Sequence, residues 1–171
     1  GDKHLRTLDD FPPDLLADAF SVALDFVRAC HAYDPRMRYA TLNANYQLPA
    51  GASLMHPHFQ ILSSPEPSTH HAQLLEKSAE YRAKNRRSYW LDLVEEEKNR
   101  GERWIGRINQ SCWMTSFAPM GQNEVLAVWP GRQSFLDWSE QDVWDLAAGL
   151  SHVLRVWHEM KLSSFNFSCF S

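Results

Sequence analysis

Arg38-Tyr-Ala-Thr-Leu-Asn-Ala-Asn-Tyr46, the small-residue stretch Leu48-Pro-Ala-Gly-Ala-Ser53, and His56-Pro-His-Phe-Gln-Ile-Leu62 are the segments on which the fold turns. In the first, Ala40, Leu42 and Ala44 alternate with Tyr39, Thr41, Asn43 and Asn45, the period of two of a half-buried strand. In the last, the same period places His56, His58 and Gln60 on one face and Pro57, Phe59 and Ile61 on the other, so a second strand is expected over 56–62. The stretch between them, with Pro49 and Gly51, is a turn.

Upstream, Leu16, Ala19, Phe20, Ala23, Val27 and Cys30 recur at steps of three and four, an amphipathic helix over 14–30 entered through Pro12-Pro13. Downstream, a Pro/Ser loop over 63–69 leads into a charged helix reaching about Arg86, and a shorter helix over 91–98 stops near Gly101. Strands are expected over 104–109, 112–117 and 124–129. Ser139-Glu-Gln-Asp142 reads as a capping box opening a long helix whose stripe is Val143, Leu146, Ala147, Leu150, Val153, Leu154 and Trp157. A short strand over 164–170 closes the chain. The class is α+β, an antiparallel sheet with packed helices.

A shift of 127 positions lays the early helix on the late one: Leu16 falls on Val143, Ala23 on Leu150 and Val27 on Leu154, and each helix leads into a strand. The expectation is a tandem pseudo-repeat. Its first copy lacks preceding strands and its second stops where a counterpart of 51–60 should come, so the chain is expected to be a piece of something longer. The organisation expected is a first half over 1–62 carrying the motif, a helical linker over 63–102, and the front of a second half over 103–171.

Composition narrows the function classes. With 44% hydrophobic and 12% aromatic residues the chain has material for a packed core and is not a disordered or low-complexity segment. Its 17 basic and 21 acidic residues give a net charge of −4, which argues against a broad nucleic-acid footprint or a polybasic membrane surface but not against one anion in a pocket. No apolar run approaches the roughly 18 residues of a spanning helix, and the first residues lack a signal-peptide layout. Three widely spaced cysteines, Cys30, Cys112 and Cys169, imply neither a disulfide framework nor a Cys-x-x-Cys metal pair, so a cytoplasmic location is expected.

Reactive side chains concentrate in 51–60. Two imidazoles and an amide on one strand face follow a turn whose backbone N–H groups and Ser53 hydroxyl suit anionic oxygens. Three readings of that pattern stand: a histidine nucleophile attacking phosphorus with amide and backbone donors stabilising the oxygens, a pair of metal ligands, or two histidines satisfied within a polar sheet face.

The spaced set Asn45, Gly51, Ser53, His56, His58 and Gln60 resembles the active-site segment of the galactose-1-phosphate uridylyltransferases, a branch of the histidine triad (HIT-like) superfamily. That family's signature is Gly-Cys-Ser followed by His-Pro-His-Gly-Gln, with an Asn six residues before the Gly. The lead-in His4-Leu-Arg-Thr-Leu, the helices after Glu80-Tyr81 and the stretch over 113–130 resemble other parts of the family more loosely. The resemblance implies a HIT-like fold and a ping-pong exchange of UMP between UDP-glucose and galactose 1-phosphate. Within it His58 matches the nucleophile that forms a uridylyl-histidine, and Gln60 the amide holding its phosphoryl oxygens. Asn45, Gly51, Ala52 and Ser53 match nucleotide and phosphate contacts. His4 and His56 match two of four ligands of a structural zinc, the other two being a Cys-x-x-Cys pair expected before residue 1. A UDP-sugar and a sugar 1-phosphate are the implied partners, a homodimer the implied assembly of the full-length protein, and no catalytic metal is required.

Departures from the family pattern are Phe59 for glycine and Ala52 for cysteine. Phe59 is expected to point away from the site by strand alternation. Leu74 falls near the acidic ligand of an iron site found in some members, with Glu76 two residues on, and no iron is expected. A nucleotide or nucleotide-sugar phosphorylase of the same superfamily, and a nucleotide- or metal-binding module without turnover, are the competing functions. Elsewhere, His70-His71 reads as a solvated helix start, His152 and His158 as surface residues and 95–98 as a charge run facing water. Trp104, Trp113, Trp129, Trp138, Trp144 and Trp157 read as core residues, and Cys30 and Cys169 as buried thiols. Cys112 has no neighbouring histidine to support a thiol mechanism.

Overall fold

The computed structural model describes residues 3–171. It is α+β and divides into two compact units, one of Gly1–Pro67 with Gln133–Ser171 and one of Ser68–Arg132. These units cut across the expected three-way organisation: the strands over 104–128 lie with the preceding helices, while the last 39 residues return to the first unit.

In the first unit, helix α1 spans Pro13–Tyr33, strand β1 Tyr39–Tyr46 and strand β2 Gln60–Ser64. Pro13 opens α1 because a proline there gives up an N–H that would have no partner anyway. The late helix, labelled α4 below, spans Glu140–Glu159, and strand β6 spans Phe165–Phe170. The Ser139 capping box holds: the Asp142 backbone N–H donates to Ser139 Oγ, and Ser139 N–H donates to the Asp142 carboxylate at 2.8 Å. β1 lies between β2 and β6, antiparallel to both. Ala40, Leu42, Ala44 and Tyr46 are buried on the inner face, where Phe20 of α1 meets Phe167 at 5.8 Å between ring centres and Phe11 meets Tyr46 at 5.4 Å. The expected stripe of α4 is buried from Val143 through Leu154, and α4 packs against α1.

The pairing register supports the repeat. Leu42 of β1 lies directly opposite Cys169 of β6, and these two residues are 127 apart, the same shift that superposes the helices. Thr41 opposite Phe170 is mirrored by Asn43 opposite Ser168 about that point. A pseudo-twofold axis thus passes between Leu42 and Cys169, relating α1–β1 to α4–β6.

The second unit contains α2 (Thr69–Asn85), α3 (Tyr89–Arg100) and the antiparallel sheet β3 (Trp104–Ile108), β4 (Ser111–Thr115), β5 (Val125–Val128), with β4 central. Cys112, Met114 and Val128 form its core, with Trp90, Leu93, Val94, Trp104 and Leu126 packed against them.

Several expectations are corrected. The second strand begins at Gln60 rather than His56, because Pro57 has no N–H to donate to a ladder and 56–59 stays unpaired. His71 is buried, not solvated; desolvation, with the nearby His70 charge, pushes its imidazole below the ordinary histidine range. In the charge run over 95–98, Glu97 is buried and paired with Arg103 at 2.8 Å, Glu95 with Arg87 and Glu96 with Arg100. Trp144 is 41% exposed, off the buried stripe of α4. Among the described residues no helix is long and apolar enough to cross a membrane.

Candidate active site

The site is built at the ends of β1 and β2, where the chain makes its least regular passage. After Tyr46 the backbone enters a conformation that non-glycine residues rarely adopt, Gln47 at φ 71°, ψ 159°. A short 3₁₀ turn over Leu48–Ala50 follows, and Gly51 closes it at φ +81°, a left-handed position suited to glycine. The turn is self-satisfied. Ala50 and Ala52 N–H donate to the Gln47 carbonyl at 3.0 and 3.3 Å, and Gly51 N–H donates to the Leu48 carbonyl at 2.9 Å. The N–H groups of Gly51 and Ala52, expected to face an anion, are therefore engaged in the turn itself, and Ser53 is left as its exposed polar residue.

Beyond the turn, 56–59 lines a cleft of about 200 Å³. Its apolar wall includes Phe11 and Leu16 before and on α1 and Phe165 on β6, and Lys3 and Arg6 bring positive charge to it. Asp10 holds both cations, Lys3 Nζ at 2.8 Å and Arg6 at 3.3 Å. Tyr46 anchors the lead-in: its hydroxyl donates to the Arg6 carbonyl at 2.6 Å and accepts from Arg6 N–H at 2.8 Å.

His58 Nδ1 lies 2.9 Å from the His56 carbonyl. A carbonyl only accepts, so Nδ1 carries the ring proton and, in the neutral ring, Nε2 keeps its lone pair. His56 Nδ1 lies 3.1 Å from His4 Nδ1, with ring centres 5.0 Å apart and planes inclined at 60°. Two nitrogens bound at about 2.0–2.1 Å to one tetrahedral zinc are roughly 3.3 Å apart, so this pair has the spacing of two corners of such a site. Among the described residues no group of three His, Cys, Asp or Glu converges on one point.

Phe59 packs inward, 5.0 Å from Phe20 and 5.8 Å from Phe167 between ring centres. Yet it lines the cleft together with His58 rather than pointing away from it, because 56–59 is not paired as a strand and alternation does not hold there. Gln60 lies outside that cleft. Gln60 opens β2 on the outer sheet face, opposite Asn43. Asn45 stands on that face too, opposite Asn166 of β6. The structure thus brings His56 and His58 to one cleft, with His4 against His56, and Asn45, Asn166 and the Leu48–Ala50 turn to one edge of the outer face; the cleft lining does not include His4, Gln60 or Asn45.

Sequence reasoning missed Lys3, Arg6, Tyr46 and Asn166. Arg6 sits inside the quoted lead-in, but its approach to His58 depends on the Tyr46 anchor 40 residues away. Asn166 is distant in sequence from everything it touches. Cys112 and Cys169 do not compete as nucleophiles: desolvation pushes the Cys112 thiol up and that of Cys169 up to about 12.

No family model matches the chain. It is 31% identical over 170 residues to an uncharacterized protein of Archaeoglobus fulgidus, across 99% of this chain and 50% of that protein. Among solved structures it resembles a uridylyltransferase mutant with a TM-score of 0.77 and 21% identity, over 87% of this chain and 49% of that one. It also resembles an ADP-glucose phosphorylase from Arabidopsis thaliana, solved with ADP-glucose, with a TM-score of 0.73 and 16% identity, over 97% of this chain and 53% of that one. The chain therefore has the HIT-like α+β fold. Within that class its fold is the one found in the uridylyltransferase and the ADP-glucose phosphorylase, and it spans about half the length of the proteins it matches.

Proposed function

We propose that the chain carries the nucleotidyl-transfer centre of an enzyme that moves UMP between UDP-glucose and a hexose 1-phosphate such as galactose 1-phosphate. The observation that carries this reading is the 2.9 Å contact between His58 Nδ1 and the His56 carbonyl, which leaves Nε2 as the nucleophilic nitrogen. Nε2 attacks the α-phosphorus, the bond from that phosphorus to the bridging oxygen breaks, and sugar 1-phosphate leaves with the bonding pair. The His56 carbonyl holds the Nδ1 proton and steadies the positive charge the ring acquires. A phosphate oxygen of the acceptor then attacks the same phosphorus, the P–N bond breaks, and Nε2 recovers its pair. No proton need leave the imidazole in either step.

Gln60, Asn45 and Ser53 are the proposed donors to the nucleotide and its phosphoryl oxygens, with Gly51 and Ala52 shaping the turn that presents Ser53. Lys3 and Arg6 add positive charge beside His58. His4 and His56 are proposed as two ligands of a structural zinc, which would tie the lead-in to the His58 segment and take no part in the transfer. The fold shared with the phosphorylase keeps a second reading open, in which inorganic phosphate is the acceptor at the same histidine.

Isotope exchange tests the reading. Labelled glucose 1-phosphate should enter UDP-glucose with no other acceptor present, since the first half-reaction is reversible by itself. Exchange that requires a second acceptor, or none with either UDP-glucose or ADP-glucose, contradicts the covalent route. Release of a nucleoside diphosphate by inorganic phosphate, faster than exchange with any sugar phosphate, selects the phosphorylase.

A further inference from the structure

The polar outer face of the first unit carries an arrangement that the fold does not require. Asn166 is exposed on β6, and its backbone already lies in the β1–β6 ladder. Its Nδ2 nevertheless donates twice, to Asn45 Oδ1 at 2.8 Å and to the Ala50 carbonyl at 2.8 Å. The second bond fixes the first. A main-chain carbonyl only accepts, so the Asn166 amide must face it with nitrogen, and Asn45 must then meet that nitrogen with its oxygen. Asn45 has one acceptor and two N–H donors. With the acceptor taken, its donors are directed elsewhere, the orientation an anionic or ribose oxygen needs.

The same bonds reach the strained passage after Tyr46. Ala50 is the last residue of the 3₁₀ turn, whose carbonyl Asn166 grips, and Gly51 and Ser53 follow at once. One exposed side chain from the second repeat therefore sets both the amide of Asn45 and the position of the turn before Ser53. The neighbouring outward pair behaves differently: Ser168 Oγ donates to Asn43 Oδ1 at 2.7 Å, a bond confined to the two strands.

We propose that Asn166 is a positioning residue of the nucleotide site, acting through Asn45 and the Leu48–Gly51 turn. The proposal rests on the nucleotidyl-transfer reading above for what the site holds. Two variants separate it from a structural role. Asn166→Ala removes both donors, and Asn166→Asp keeps the shape but turns an acceptor and a negative charge toward two oxygens.

The test is UMP affinity by titration calorimetry, with the melting midpoint of each variant measured alongside. UMP affinity should fall about tenfold in Asn166→Ala, the scale of one or two lost hydrogen bonds, and further in Asn166→Asp, while both variants melt close to the parent. The parent-to-Asp ratio should narrow as pH falls toward about 4, because a protonated carboxyl can donate again. UMP affinities within twofold of the parent in both variants overturn the proposal, as does an affinity loss matched by a collapse in melting midpoint in both. Since affinity is read without turnover, a parent that binds UMP but forms no covalent adduct overturns the transfer reading alone, and the affinity ratios still decide Asn166. A parent that binds no UMP overturns both.

Discussion

The two halves of the pseudo-repeat, α1–β1 and α4–β6, share a frame and divide the work. Each is an amphipathic helix leading to a strand, and the axis between Leu42 and Cys169 relates them. After β1 the chain makes a strained turn and the histidine segment; β6 instead supplies Asn166, which reaches back to that turn. The burial also differs. α4 carries ten buried residues, including Asp142 and Asp145, whereas α1 buries five and leaves Val22 and Phe26 exposed. A duplicated scaffold thus carries a strained turn and a histidine segment after one copy, while the other buries more of its helix and braces that turn.

The largest stability effect should come from the equivalent core positions. Leu154 is fully buried and its repeat partner Val27 is 4% exposed. Leu154→Ala should cost about 3 kcal/mol and Val27→Ala about 2 kcal/mol in urea unfolding followed by circular dichroism. A near-zero cost at one of the two would break the shared frame.

The turn found only after β1 gives a smaller, opposed pair of effects. Gly51→Ala should lose about 1 kcal/mol from its positive φ, since no atom lies within 4 Å of the added carbon. Gln47→Gly should gain about 1 kcal/mol by relieving its strained backbone. Equal melting midpoints for both variants would mean that the turn stores no strain.

The axis itself provides an effect confined to alkaline pH. Cys169 has a thiol whose folded value is raised from 9.0 to about 12 by desolvation, while its counterpart Leu42 has nothing to ionise. A raised folded value contributes stability that is fully present below pH 9 and is lost as pH rises from 9 toward 12. Cys169→Val should flatten that part of the pH–stability curve relative to the parent, measured by urea midpoints. Cys30 and Cys169 are half-buried rather than buried, and identical slopes would mean that the Cys169 thiol is not desolvated enough to shift.

Much of this was legible in the sequence, for physical reasons. Alternation from Tyr39 to Asn45 and the helical stripes before and after it are local signals, and the Ser139–Asp142 box is a contact over three residues. Phe59 packs against Phe20 but shares the cleft with His58, because 56–59 is not a paired strand. The strand start at Gln60 was misplaced because period alone does not register that Pro57 lacks a donor. Glu97 and His71 were read as solvated because only tertiary packing buries them. The N–H groups of Gly51 and Ala52 were assigned to a ligand because the sequence does not reveal that the Gln47 and Leu48 carbonyls take them. Asn166 lies 121 residues from Asn45, and no local pattern links the two.

The central claim is that His58 Nε2 takes a nucleotidyl group, and intact-mass spectrometry tests it most directly. After incubation with UDP-glucose, and in parallel with ADP-glucose, the chain should gain one nucleoside monophosphate. That adduct should be absent in His58→Ala and should disappear on adding the acceptor. An adduct that persists in His58→Ala, or no adduct with either nucleotide sugar in the parent chain, would contradict the account.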